Sequence, residues 1–385
     1  MNIAFFYNSK VNPTAGGVER ITYNLTTSFR RRGHNVINLF YKGDEDGIEN
    51  FLIPTQDNKR NAAATIDNIV DHLGIDIIID QQAQDSCLTH LCLKSKVKVI
   101  RCIHNNTESR FATKALLSNF NFFNLKESVY NVIFWMLTPV RKFRTDKALI
   151  LRSIGIDKLV MLDEGIYLPK RIEKSIVTTI PNGIPNNNKN PYLIRHKKKQ
   201  LLFVARLSHP TKNTRFVMQL WRRLSLEFPD WELIICGEGS DEIVMKDYAR
   251  KHKIDRCVFK GLVDPEPYYK DASILLLPSF TEGFGMVLLE GMQYGCVPIV
   301  FDVCPAFHKI CMDTNRLQTD STPSQCGIVV KAMDSKAYIS ECRKLIKDAD
   351  RRKQFATAAI AHVRDYDVEI IADRWEQLFE ELTNQ

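Results

Sequence analysis

The chain has 385 residues, 44% of them apolar and 25% charged, with 53 basic against 45 acidic side chains and a formal charge of +8. That composition excludes a largely disordered chain, and the length favours two domains of roughly 150 to 200 residues over one. The basic excess suits an anionic partner such as a nucleotide, an acidic membrane surface or nucleic acid, although it also serves solubility. The ten cysteines are scattered, Cys236, Cys257 and Cys342 among them, without the paired spacing of zinc sites, so they read as reduced core residues. The opening MNIAFFYNSK lacks a basic region and a long apolar core. No run reaches about 18 uninterrupted apolar residues, so a cytoplasmic protein is expected.

Ile3–Tyr7 reads as a buried strand, followed by a loop holding Gly16 and Gly17 and a helix from near Arg20 through Leu25 and Phe29 to Gly33. The glycine pair removes side chains where strand meets helix N-terminus, which lets a phosphate or sugar approach backbone amides. It also fits a plain tight turn, and no G-x-G-x-x-G follows the strand. Arg30, Arg31 and Arg32 suit the helix's C-terminal dipole, and His34, before the strand Val36–Tyr41, reads as structural. Loops and short strands are expected over 44–60. A helix at Ala62–Leu73, a strand at Ile75–Asp80, a helix at Cys87–Lys94 and a strand at Val97–Ile103 come next, and this alternation argues for a parallel sheet. His104 follows directly, at a carboxyl edge where ligands of open α/β sheets bind; a polar residue that simply ends a strand is the plainer alternative. From Phe111 to Arg144 aromatic and basic residues mix, ending in VIFWMLTPVRKFR. The stretch fits either an interfacial segment, with Arg141, Lys142 and Arg144 on anionic lipid, or a helix packed on its own sheet.

Val177–Ile180 is the next strand, and Pro181-Asn182-Gly183 then leads into a polar, basic linker, which places the domain boundary between 1–180 and 181–365. After the strand Leu201–Val204 come Ala205, Arg206 and Leu207, then Lys212 just before the helix Thr214–Glu227. Two cations at a strand's carboxyl end, beside a helix N-terminus, are placed to neutralise a diphosphate, where two exposed loop residues would ordinarily carry no role. The strand Trp231–Cys236 ends in Gly237, and Val258–Lys260 is followed by Gly261, Leu262 and Val263.

The apolar run Ile274–Leu277 is too short for a helix and reads as a strand buried on both faces. Pro278, Ser279 and Thr281 break the pattern. From Phe284 onward Met286, Leu289 and Met292 share a helical face, Gly295 marks the stop, and Val297–Phe301 is a second buried strand. A right-handed crossover between these strands opens the intervening loop into a crevice. Glu282 lies in that loop by the helix's first amides, where an anion is favoured, and Glu290 follows on the helix. Alone, the pair would read as a cap and a solvated carboxylate. Gly327–Val330 is the last expected strand. Helices follow at about Asp334–Asp348 and Arg351–Arg364, and a terminal amphipathic helix carries Ile370, Trp375, Leu378 and Phe379.

Ser279, Glu282, Gly283, Phe284, Gly285, Leu289, Glu290, Gly291, Gly295 and Pro298 together resemble the signature of the family 4 retaining glycosyltransferases. The resemblance runs through nearly the whole chain and is stronger in the second half. It implies an α/β protein of GT-B fold: two Rossmann-like domains with parallel sheets facing across a cleft, and residues 366–385 as a helix that crosses back to the first domain. It also implies that Glu282 and His104 lie by the donor sugar, that Arg206 and Lys212 hold the donor phosphates, and that Glu290 holds the ribose hydroxyls. Gly16 and Gly17 would close over the phosphates and acceptor. Gly237, Leu262, Gly283, Phe284 and Gly285 would complete the nucleotide site, the base being read by backbone near Leu262.

The implied reaction is transfer, with retention, of a sugar from a nucleotide diphosphate donor, a UDP-sugar, to a hydroxyl of a glycan or lipid-linked acceptor in polysaccharide biosynthesis. No metal or other cofactor and no nucleic acid is expected, and contact with the anionic inner face of a membrane is. Two departures stand out: Ala205 replaces the usual glycine, and Ala306, Phe307 and His308 stand where relatives often carry a glycine-rich turn. A sugar-nucleotide epimerase or hydrolase on the same fold, and a non-catalytic sugar-nucleotide-binding scaffold, are the competing readings.

Overall fold

The computed structural model describes residues 1–13, 16–53, 59–81, 97–104, 138–186, 194, 196–208, 211–317 and 323–384. The expected helix Cys87–Lys94 and most of the stretch Phe111–Arg144 lie outside them. One compact unit is drawn from Met1–Glu108, Ile133–Pro185 and Tyr366–Gln385, and Asn186–Asp365 supplies the other.

The first unit is a seven-stranded sheet of β1 (Asn2–Ser9), β2 (Asn35–Lys42), β3 (Asn50–Leu52), β4 (Ile77–Asp80), β5 (Lys98–Ile103), β6 (Lys158–Met161) and β7 (Val177–Thr179). Its order is β3-β2-β1-β4-β5-β6-β7, all parallel. Ile3, Ala4, Phe5 and Phe6 are buried in succession, the run of a strand covered on both faces. The winding reverses between β1 and β4, so the crevice of this sheet lies at their carboxyl ends. Helix α1 (Gly17–Arg31) buries Ile21, Leu25 and Phe29 at helical spacing; α2 (Lys59–Leu73) and α3 (Thr138–Arg152) follow in the chain.

The last helix of the chain, α11 (Val368–Thr383), packs on α1. The rings of Phe29 and Phe379 meet edge to face at 5.4 Å. Arg32 does more than complement a dipole: it reaches Asp373 at 2.6 Å and Glu376 at 2.7 Å, while His34 Nε2 lies 2.7 Å from Glu376 Oε1. The glycine of the Pro181-Asn182-Gly183 turn is required by close approach, because a Cβ there would stand 2.9 Å from the Val368 backbone. Ile184 is fixed beside it, exchanging backbone hydrogen bonds with Tyr366 and Val368.

The second unit contains a six-stranded parallel sheet of β8 (Lys198–Val204), β9 (Glu232–Cys236), β10 (Cys257–Gly261), β11 (Ala272–Leu277), β12 (Val297–Phe301) and, after the two-stranded pair β13 (Met312–Leu317) and β14 (Pro323–Gln325), β15 (Ile328–Val330). The order β10-β9-β8-β11-β12-β15 reverses between β8 and β11. Every residue of β11 and β12 is buried. Helices α4 (Thr214–Glu227), α5 (Glu242–Lys251), α6 (Glu266–Asp271), α7 (Met286–Met292), α8 (Ala306–Cys311), α9 (Ser335–Lys347) and α10 (Ala349–His362) complete this unit. Its core gathers Phe203, Phe216, Trp221, Phe301 and Tyr338. The eight described cysteines are all free, and all but Cys257 are buried.

Candidate active site

In the second unit the candidate residues collect at the reversal between β8 and β11. Chain after β8 is held down by backbone hydrogen bonds from Ala205 N to Cys236 O and from Leu207 N to Glu238 O. Gly237, with φ +132, passes so close that a Cβ would lie 1.9 Å from Ala205 O; only glycine fits. Ala205 itself is not among the positive-φ residues, so the alanine at this position adds no strain. Arg206 is exposed at the end of this strand.

Lys212 and Glu282 meet above these strand ends, Nζ to Oε1 at 2.5 Å. Their loops are stapled together: Phe280 N donates to Thr211 O at 2.9 Å, and Asn213 Nδ2 to Pro278 O at 3.1 Å. Asn213 takes the left-handed conformation, φ 52, which asparagine tolerates better than most residues. Glu282 does not cap the following helix. Helix α7 starts only at Met286, with Gly285 at its N-cap and no side-chain cap, because the carboxylate is drawn to Lys212 instead.

Gly285 has φ +85, and a Cβ there would stand 2.7 Å from the Phe307 ring. Phe307, one of the departures noted in the sequence, is thus a buried floor for the glycine-rich loop. Cys304 Sγ supports the same loop from Gly283 O at 3.3 Å. Phe284 is itself 4% exposed, so its side chain belongs to the core and its backbone is what the loop offers.

Glu290 accepts a hydrogen bond from the Tyr269 hydroxyl at 3.0 Å. Tyr269 is buried, and its carbonyl accepts from Lys197 Nζ at 2.6 Å, an ammonium whose pKa burial lowers. Sequence reasoning missed Tyr269, since nothing in a 21-residue separation announces contact. Leu262 follows β10 and is 71% exposed, a large apolar side chain left at the edge of the sheet.

The first unit carries the remaining candidates. Gly16 is extended at the N-cap of α1, without a side-chain cap, and Arg20 N donates to its carbonyl at 3.1 Å. The carboxylate of Glu19 lies 2.7 Å from where a Gly16 Cβ would stand, so an acid borders the Gly16–Gly17 backbone. Burial and that acid raise the Tyr7 phenol. His104 Nε2 makes a short hydrogen bond with Gln81 Oε1. Burial lowers the His104 pKa to about 4, which keeps the imidazole neutral near pH 7. The catalytic candidates thus form two sets, Arg206, Lys212 and Glu282 in one unit and His104 in the other. Among the described residues no three His, Cys, Asp or Glu side chains gather as metal ligands.

Comparison with known proteins bears on the family and the fold. Residues 186–362 match the family model described as "Glycosyl transferases group 1". An uncharacterized glycosyltransferase of Haemophilus influenzae is 24% identical over 94% of this chain and 96% of its own. The amylovoran biosynthesis glycosyltransferase AmsD of Erwinia amylovora is 24% identical over 58% of this chain and 62% of its own. The Anabaena protein HepE, solved in complex with UDP and glucose, superposes with a TM-score of 0.70 at 14% identity, over 100% of both chains. The likeness to the group 1 glycosyl transferases thus lies in residues 186–362, and the fold of the chain is GT-B.

Proposed function

We propose that the protein moves a sugar from a nucleotide diphosphate donor, a UDP-sugar, to a hydroxyl of a glycan or lipid-linked acceptor in polysaccharide biosynthesis, with retention at the anomeric carbon. The observation that carries this is the meeting of Lys212 with Glu282 at the strand reversal, Arg206 exposed at the end of β8 and Glu290 on the helix behind the loop. Arg206 and Lys212 stabilise the charge that develops on the departing diphosphate, a preorganised electrostatic role that asks for no metal. Glu290, steadied by Tyr269, accepts the ribose hydroxyls. Glu282 lies by the sugar, and His104, in the other unit, is a neutral hydrogen-bonding group. The UDP and glucose bound by HepE and the amylovoran biosynthesis named for AmsD support the choice of donor and product class.

The acceptor side of the reading includes a membrane. Val140, Phe143, Leu151 and Ile154 stand 49 to 69% exposed along and just beyond α3, with Arg144 and Lys147 exposed among them. An apolar stripe edged with cations suits an anionic lipid surface, where a lipid-linked acceptor would be found. No described helix is long and apolar enough to cross a membrane.

The test is UDP release from a panel of UDP-sugars, with and without glycan and lipid-linked acceptors. Release that requires an acceptor supports the transferase reading. Release without one points to a hydrolase or epimerase, and binding without release to a scaffold.

A further inference from the structure

Gln81 and His104 stand at the ends of neighbouring strands, β4 and β5. Gln81 is 1% exposed, and its backbone N donates to Phe6 O at 3.0 Å, which ties it to the neighbouring strand β1. Its Oε1 meets His104 Nε2 in a short hydrogen bond. An amide oxygen only accepts, so this contact needs the imidazole proton on Nε2 and leaves Nδ1 with a bare lone pair. Both His104 Nδ1 and Gln81 Nε2 are shielded from solvent and have no hydrogen-bond partner among the described residues. The two residues line a cavity with Leu25, Cys102, Asn182 and Trp375, which leaves about 10 Å³ for the centre of a water-sized group. Of the thirteen described residues that line it Cys102 is the only other titratable one, and burial beside Asp80 holds its thiol well above the usual range.

We propose that Gln81 is a positioning residue that locks His104 in the Nε2–H tautomer, so that Nδ1 is the atom the imidazole offers to the cavity, as a neutral acceptor. The proposal gives the sugar-site reading of His104 a defined hydrogen-bonding sense and rests on that reading only for its consequence. A histidine free to exchange tautomers would present a donor as readily as an acceptor; one held by an amide oxygen cannot.

The experiment is NMR of the full chain labelled with ¹⁵N-histidine, the His104 signals being identified by their loss in His104→Asn. At pH 7 the wild type is expected to show neutral His104 in the Nε2–H form, titrating at about 4. In Gln81→Leu the tautomers should mix. In Gln81→Glu a carboxylate would face the ring, and the titration midpoint should climb past the ordinary ~6.5. An Nδ1–H tautomer in the wild type overturns the proposal without need of any variant, as does an unmoved midpoint in Gln81→Glu. No nucleotide sugar enters the measurement, so its outcome is independent of whether the chain transfers sugar.

Discussion

Lys212 Nζ lies 2.5 Å from Glu282 Oε1, with the lysine side chain 25% and the glutamate side chain 10% exposed. The cation assigned to the donor phosphates and the carboxylate assigned to the donor sugar therefore hold one another before any donor arrives. A diphosphate bound as proposed would share a lysine that is already oriented, and the same contact aims the Glu282 carboxylate.

That pairing separates two substitutions which the sequence alone would treat alike. Arg206→Ala and Lys212→Ala should each lower turnover by about two orders of magnitude or more, because their charge is needed as the diphosphate leaves. Arg206 is exposed, so its loss should leave the melting temperature unchanged. Removal of Lys212 strands a largely buried carboxylate and should cost about 1 to 3 kcal/mol of stability as well. Thermal melts beside initial rates check both; equal melting temperatures for the two variants would deny the pair any structural role.

Glu290→Gln should weaken binding of UDP by about 1 to 2 kcal/mol, roughly 5- to 30-fold, since the amide keeps only one acceptor oxygen for two ribose hydroxyls. Tyr269→Phe removes the hydroxyl that steadies Glu290 and should weaken UDP in the same direction by a smaller factor. Calorimetric titration reads both, and an unchanged affinity in Glu290→Gln removes this residue from the site.

Gly237→Ala should destabilise the second unit by more than about 3 kcal/mol, because the new methyl would stand 1.9 Å from Ala205 O in a conformation, φ +132, that alanine rarely adopts. Denaturant unfolding measures the loss. A near-neutral result would mean that the backbone crossing at Ala205 is not as close as described.

The acid limb of stability should report His104. Its folded pKa, about 4, lies below the ordinary ~6.5, so between those values the unfolded chain binds more protons and stability falls as the pH drops through that window. His104→Gln should flatten that part of the curve. Identical curves for the two proteins would place the burial of the imidazole in doubt.

Much of this fold is legible in the residues, and the failures are instructive. Ile274–Leu277 and Val297–Phe301 announce themselves because a strand buried on both faces has no polar alternation to disguise it, and Thr214–Glu227 because its apolar residues repeat at helical spacing. The strand Lys158–Met161 escaped notice: four residues opening on a lysine carry too little pattern. What periodicity cannot supply is which strands are neighbours. Arg206 and Glu282 reach one strand reversal because β8 pairs with β11, far apart in the chain, and the Tyr269–Glu290 and Gln81–His104 contacts depend in the same way on which strand ends and helices the fold brings together. The helix-capping reading of Glu282 failed for a related reason, since the lysine that outbids the helix amides comes from a distant loop.

The most direct test of the central claim is NMR of the product formed from an α-linked UDP-sugar in the presence of chelator. Transfer that persists with an α linkage in the product is the predicted result, because Arg206, Lys212 and Glu282 are the groups proposed to manage the departing charge. A β linkage, or activity abolished by chelator and restored by magnesium or manganese, would contradict the account even with the fold unchanged.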